Sequence, residues 1–232
     1  MKIGIIGAIK EEIKQLKKII FLYKKIIIQR HTVYLGTFKN NNIFLIESGI
    51  GKVSSSIAVM ILINVYQPNI IINGGSAGSL KSSLNIGDVI LPKQVCYYDV
   101  NLTNFNYSYG QIPTYPQKFT VNQKCNKFFK NKYFNNQLNV QTGLIISGDS
   151  FISDNIYTSI LKNLFPAAIA VDMESAAIAQ ICYKFNIPLI VVKSISDLSN
   201  ENATFNFKKN ISIAAFNAYI LVKYILKKII KK

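Results

Sequence analysis

Three acidic side chains stand directly after apolar runs that read as buried strands. Glu12 follows the run beginning at Ile3, Glu174 follows Ile169–Asp172, and Asp197 follows the run beginning at Leu189. The chain carries 11 acidic residues against 27 basic ones, so acids gathered at strand ends need an explanation. In an α/β sheet the strand ends are where ligands bind. Carboxylates placed there can hold hydroxyls or move protons. Taken singly, each also fits a structural role. Glu12 suits the first turn of a helix, where the dipole favours a negative charge. Glu174 suits a helix start in the same way, and Asp197 suits an N-cap. Ser76 suits a tight turn, and Phe151 suits a core position.

Other chemistries find little support. Cys96, Cys125 and Cys182 are far apart and odd in number, with no metal or redox spacing. They read as small packed hydrophobes. His31 is the sole histidine, so a metal site of the usual nitrogen and sulfur ligands is not expected. A serine triad would have to use His31, and no Gly-x-Ser-x-Gly elbow accompanies it. Gly4-Ile-Ile-Gly7 lacks the dinucleotide spacing, and the acids after it would repel a pyrophosphate. Gly49-Ile-Gly-Lys52 is followed by Val53 where a P-loop needs Ser or Thr.

Alternating strands and helices must position the acids. A strand over Lys2–Gly7 leads into a helix over Glu11–Ile20, with Ile13, Leu16, Ile19 and Ile20 on one face. Strands over Ile26–Phe38 and Ile43–Glu47 flank an Asn-rich turn. An apolar helix spans Val53–Tyr66 and stops near Pro68. The strand at 70–73 runs into a Gly-rich loop at 74–78, and a strand over 89–98 is broken by Pro92. A long aromatic stretch, 99–119, exceeds a plain connection and reads as functional or interfacial. Further strands over 144–147, 168–172 and 189–195 alternate with a helix over 175–185. A last helix spans 211–230 and ends in Lys231 and Lys232. This pattern predicts an α/β fold, a three-layer α/β/α sandwich around a twisted mixed β-sheet. Residues 1–232 show no linker or repeat and read as one domain.

Half the residues are hydrophobic, which suits a globular chain. No apolar run approaches the roughly 20 residues of a membrane helix. The N-terminus does not read as a signal, because Lys10, Glu11 and Glu12 interrupt it. A cytoplasmic location is expected, with no membrane partner. The net charge of +16 is spread as scattered Lys, which reads as solvated faces and predicts no specific nucleic-acid partner.

The loops at 8–12, 48–51, 74–78, 147–152, 172–175 and 194–197 are rich in small residues and acids, so they could converge on one pocket. In order, Gly4-Ile-Ile-Gly-Ala8, Glu11-Glu12, Ser48-Gly-Ile-Gly-Lys52, Asn73-Gly-Gly-Ser-Ala-Gly78, Gly87-Asp-Val89, Tyr107-Ser-Tyr-Gly-Gln111, Ser147-Gly-Asp-Ser-Phe-Ile152, Val171-Asp-Met-Glu-Ser-Ala176 and Ser194-Ile-Ser-Asp197 resemble the 5′-methylthioadenosine/S-adenosylhomocysteine nucleosidases of the nucleoside phosphorylase superfamily. The resemblance runs over nearly the whole chain.

That resemblance implies a nucleoside phosphorylase-like fold and a cofactor-free, metal-free hydrolase. The enzyme would release adenine from methylthioadenosine and S-adenosylhomocysteine, with 5′-deoxyadenosine as a further substrate. It implies two catalytic groups, Glu12 activating water and Asp197 assisting N7 protonation. Ser76 would place the water. Phe151 would stack on the base and the Ile152 backbone would read its edge. Met173 and Glu174 would hold the ribose. Gly78, Ser196 and Lys193 join the binding set, and Ile9, Ile50 and Phe207 line the 5′-alkylthio pocket. It also implies a homodimer, in which the partner subunit closes that pocket with the segment matching Leu102, Phe105, Tyr107 and Pro113.

The near alternative is a phosphate-dependent purine nucleoside phosphorylase. A carboxylate at Glu12 would repel phosphate, and Arg30, the sole arginine, lies away from the site loops. Lys193 stands where the family usually has Arg, which keeps the charge and loses the planar fork. Ile9 replaces the usual Met. Asp172 is expected to have no chemical role.

Overall fold

The computed structural model describes residues 1–123, 125, 133–134 and 138–230. Lys231 and Lys232 lie outside the described residues. The strands are β1 (Lys2–Gly7), β2 (Phe21–Ile28), β3 (His31–Phe38), β4 (Asn41–Glu47), β5 (Ile70–Ser79), β6 (Val89–Ile90), β7 (Gln94–Tyr97), β8 (Phe119–Thr120), β9 (Tyr133–Phe134), β10 (Leu138–Gln141), β11 (Leu144–Ser147), β12 (Ala168–Asp172) and β13 (Leu189–Asp197). The helices are α1 (Lys10–Leu16), α2 (Lys52–Ile61), α3 (Asn155–Leu164), α4 (Ser175–Lys184) and α5 (Ala203–Ile229).

One mixed sheet runs β2-β3-β4-β1-β5-β12-β11-β7-β8, and β13 pairs with β5 and β6. Its centre is β5. That strand lies parallel to β1 and β13 and antiparallel to β12. The three strands that lead to the acids all pair with β5, which carries Ser76, and that is why residues 185 positions apart can meet.

Ile3, Ile5, Ile43, Leu45, Ile70 and Ile72 point to one face, where they pack with Leu221, Val222, Ile225 and Leu226 of α5. Ile6, Ile46, Ile71 and Val191 point to the other, against Ala58 and Val59 of α2 and the Ala176–Ala179 stretch of α4. The alternation follows from the two-residue period of a strand. Both faces are covered, giving the expected three layers. Each fully buried Leu, Ile or Val contributes about 1.5–3 kcal/mol relative to exposure. The small residues of α4 let it lie close to α2. A smaller cluster, with Tyr98, Ile146, Leu161 and Phe165, seats α3.

Several boundaries differ from the sequence reading. The span 26–38 is two strands, because Gln29 and Arg30 both take left-handed backbone in a tight hairpin turn. The first helix ends at Leu16 in a 3-10 turn, and the second passes into a π turn over Leu62–Tyr66. Residues 74–78 are strand, not loop, since β13 pairs with them through Lys193 and Ser194. The same pairing carries β13 through Asp197. Helix α3 had no counterpart in the sequence reading, and α5 begins eight residues earlier than expected. Its first two turns bury Ala203 and Asn210 but little apolar area, so periodicity there is weak.

Candidate active site

Helix α1 opens directly after β1, and its third residue is Glu12. The side chain folds back on its own helix start. Oε2 accepts from the amides of Ala8 at 2.7 Å and Ile9 at 3.4 Å. Oε1 accepts from the Ser76 amide at 2.8 Å and the Ser76 hydroxyl at 3.0 Å. The helix-start reading and the site reading of Glu12 thus describe one conformation. Gly75 permits it, because a Cβ there would stand 2.5 Å from Glu12 Oε1.

Glu174 is the N-cap residue of α4 but makes no side-chain cap. Its Oε1 accepts from the Gly51 amide at 3.1 Å, and its Oε2 lies 3.5 Å from Lys193 Nζ. Burial pushes its pKa up, and the Lys193 charge offsets only part of that. Lys193, expected among the substrate-binding residues, does not line the cavity: it is 1% exposed and lies behind Glu174, held by buried carboxylates. Burial alone would lower its pKa. Asp172 at 3.0 Å, Glu174 and Glu12 together outweigh burial and raise it, so the ammonium form is held.

Asp172 has a role that sequence reading denied it. Its carboxylate accepts from the hydroxyls of Ser147 and Ser175, and it pairs with Lys193. Asn73 donates to the Ser175 hydroxyl at 3.1 Å, extending the network into β5. A buried carboxylate needs such partners. Its acid at a strand end was visible in the sequence; the cation opposite it was not.

Asp197 ends β13. Oδ2 accepts from the Ser196 hydroxyl at 2.8 Å and Oδ1 from the Ser199 amide at 3.0 Å. Burial raises its pKa, and those two donors pull against the rise. Unlike Glu174, it has no cation within ion-pair distance among the described residues.

These elements enclose a cavity of about 360 Å³. Of the expected site residues, Glu12, Ser76, Gly78, Phe151, Ile152, Met173, Glu174, Ser196, Asp197, Ile9, Ile50 and Phe207 line it. Phe151 and Phe207 meet edge to face, with ring centroids 5.7 Å apart. Leu102, Phe105, Tyr107 and Pro113 lie on a separate segment and do not line it. Phe105 there is 72% exposed. Sequence reading missed Ser199 and Thr204 in the wall. A polar residue two positions past a candidate acid was the available signal for Ser199.

Comparison with known proteins agrees with this geometry. The phosphorylase superfamily model matches residues 2–227. A 5′-methylthioadenosine/S-adenosylhomocysteine nucleosidase from Buchnera aphidicola subsp. Acyrthosiphon pisum (strain Tuc7) is 59% identical over 230 residues, covering 99% of both chains. One from Staphylococcus aureus (strain bovine RF122 / ET3-1) is 42% identical, covering 93% of this chain and 95% of its own. The solved S-adenosylhomocysteine nucleosidase from Streptococcus pyogenes, in complex with 5-methylthiotubericidin, superposes with a TM-score of 0.95 at 35% identity. It covers all of this chain and 98% of its own. This chain belongs to the phosphorylase superfamily and, within it, to the 5′-methylthioadenosine/S-adenosylhomocysteine nucleosidases.

Proposed function

We propose that the protein hydrolyses the N-ribosidic bond of 5′-methylthioadenosine and S-adenosylhomocysteine, and of 5′-deoxyadenosine. The products are adenine and the corresponding ribose. One observation carries the reading. Among the described residues lining the cavity there are four carboxylates, Glu12, Asp172, Glu174 and Asp197, and no lysine or arginine. The nearby buried cation, Lys193, is already held by Asp172 and Glu174. A phosphate dianion meets four carboxylates and no free cation there, whereas a developing cationic sugar is stabilised by them.

The groups divide the work. Asp197 gives a proton to N7 of the base as the bond between C1′ and N9 breaks, and the bonding electrons leave with adenine. Positive charge then builds on the ribosyl group, which Glu174 stabilises while holding the ribose hydroxyls. Met173 packs beside the sugar. Water attacks C1′ and its proton passes to Glu12, with Ser76 holding the water. Phe151 stacks on the base, and the backbone of Ile152 with Ser196 and Gly78 frames its edge. Ile9, Ile50 and Phe207 receive the alkylthio group. Asp197 and Glu12 each contribute about 10²–10⁴-fold, as general acids and bases do.

We place the active form as a homodimer. Ile50 is 56% exposed at the cavity mouth, and a partner's 102–113 segment would cover such an apolar edge. Three buried free cysteines suit a reducing cytoplasm. No described helix is long and apolar enough to cross a membrane.

The test is adenine release from methylthioadenosine in phosphate-free buffer. Free methylthioribose as the sugar product, unchanged by added phosphate, supports hydrolysis. A sugar phosphate formed only with phosphate present would assign the phosphorylase reaction instead.

A further inference from the structure

Ser199 breaks two rules at once. Its backbone is left-handed, with φ of 51°, a region that non-glycine residues rarely adopt. Its hydroxyl is buried with no hydrogen-bond partner in the protein, in a residue 0% exposed. Buried hydroxyls are nearly always paired. Strain held in place by surrounding structure points to function when it sits in a site.

The surroundings over-determine this residue. Its carbonyl accepts from Thr158 of α3 at 2.6 Å, and its amide donates to Asp197 Oδ1 at 3.0 Å. Its hydroxyl crowds the position where Gly78 lacks a Cβ. A Cβ at Gly78 would stand 2.3 Å from Ser199 Oγ and 2.8 Å from Asp197 Oδ1. The absent side chain at Gly78 is what leaves room for both oxygens. Rotation about the Cα–Cβ bond moves a serine hydroxyl between staggered wells at little cost.

We propose that Ser199 is a positioning residue for the acid, whose hydroxyl turns onto the Asp197 carboxylate once that group has given its proton to the base. Before transfer, Asp197 carries the proton and the Ser199 hydroxyl has no partner. During transfer the proton moves to N7, the C1′–N9 electron pair goes to the base, and Asp197 gains a full charge in a dry pocket. Only two donors then face it, from Ser196 and the Ser199 amide. A third donor stabilises the charge where it develops, as preorganised donors do. This inference rests on the hydrolase reading above and assigns a group that the reading does not use.

An interaction made only as the reaction proceeds lowers kcat and leaves KM alone when removed. The variant S199A keeps the backbone demand of serine and deletes the oxygen. Its kcat for methylthioadenosine is expected to fall about 10- to 100-fold, as for a lost hydrogen bond to a charged group, with KM unchanged. In a D197N background, where no carboxylate forms, the same substitution should cost nothing further. Equal kcat in S199A and wild type, or a rise in KM alone, overturns the inference. So does a full additional loss in the D197N/S199A double variant. Should S199A fold poorly, S199G removes the same oxygen and suits the positive φ, and the same outcomes decide. Wild-type protein that releases no adenine sinks the hydrolase reading; active wild type with an equally active S199A sinks only this inference.

Discussion

Glu174, at the start of α4, and Asp197, at the end of β13, are both buried carboxyl groups of one cavity, yet they are held in opposite ways. Glu174 lies against a fully buried lysine that Asp172 also grips. Asp197 is met only by neutral donors, a serine hydroxyl and an amide. Burial raises the pKa of both. At Glu174 a cation opposes that rise and favours the charged form. At Asp197 nothing of full charge does. The first arrangement, a carboxyl raised to about 7 with a cation pulling it back, suits a group that sheds its proton near neutral pH to face a cationic sugar. The second suits a group that must hold a proton and then release it. The two ends teach that burial alone does not assign a role; the charge of the partner does.

The largest test of this contrast is to remove the proton from one end only. Asp197→Asn keeps shape and neutral donors, and should lower turnover by about 10²–10⁴-fold. Thermal unfolding should barely move, because no ion pair is lost. Glu12→Gln should cost a similar factor in turnover. Near-normal adenine release in either variant would separate the geometry from the chemistry assigned to it.

Lys193→Met attacks the other end. It deletes the buried cation and leaves Asp172 and Glu174 unpaired against each other. Breaking such a pair costs about 3–5 kcal/mol, read as a lower urea midpoint. Activity should fall with it, because Glu174 would then take up a proton. Lys193→Arg keeps the charge and should retain most of the stability, though a planar fork must fit where an ammonium sat. If the methionine variant proves as stable as wild type, the charged end is not held as the contrast requires.

The raised carboxyl groups also predict a pH slope with a definite sign. A carboxyl whose pKa is higher in the fold keeps a proton that the unfolded chain has lost. Unfolding then releases protons, so stability falls as pH rises from the ordinary glutamate value of 4.5 through the folded value. Above that it is flat with respect to this group. Glu174→Gln should reduce the slope, and urea midpoints at a series of pH values will show it. Asp197→Asn should reduce it too, over a window starting at 3.8.

How much of this was readable beforehand follows from the same contrast. The acids stood out because they punctuate apolar runs, and that pattern is local. The strand ends were legible as a place of convergence for the same reason, as was the layered fold. Residues 74–78 and 194–197 looked like loops because glycine and serine weaken the strand signal. They are strands because β5 and β13 pair there, and a pairing partner is not written nearby. Asp172 looked idle because its cation comes from another strand, 21 positions on in the sequence. Ser199 was passed over because a serine in a turn is ordinary; its unpartnered hydroxyl and the gap above Gly78 exist only in three dimensions.

The smallest expected effect separates burial from chemistry. Lys52, two residues past Ile50 of the cavity wall, pairs with Asp99 at 2.6 Å, with side chains 26% and 24% exposed. The atoms are those of the Lys193 pair, and the distance is shorter. Yet water reaches both partners, so charge removal leaves no dry, unpaired ion. Exposed pairs of this kind contribute about 0–1 kcal/mol, against several for the buried one. Asp99→Asn should therefore shift the urea midpoint only slightly, and high salt should erase the difference from wild type. The Lys52 amide also donates to Asp149 at 2.7 Å, and the Asp149 amide donates to Asp99 Oδ2 at 3.1 Å, a bond that an Asn oxygen can still accept, so the turn at Gly51 stays in place. The Gly51 amide should then stay on Glu174, and KM should hold. A loss as large as that of Lys193→Met would mean that distance, not water, sets the strength of these pairs.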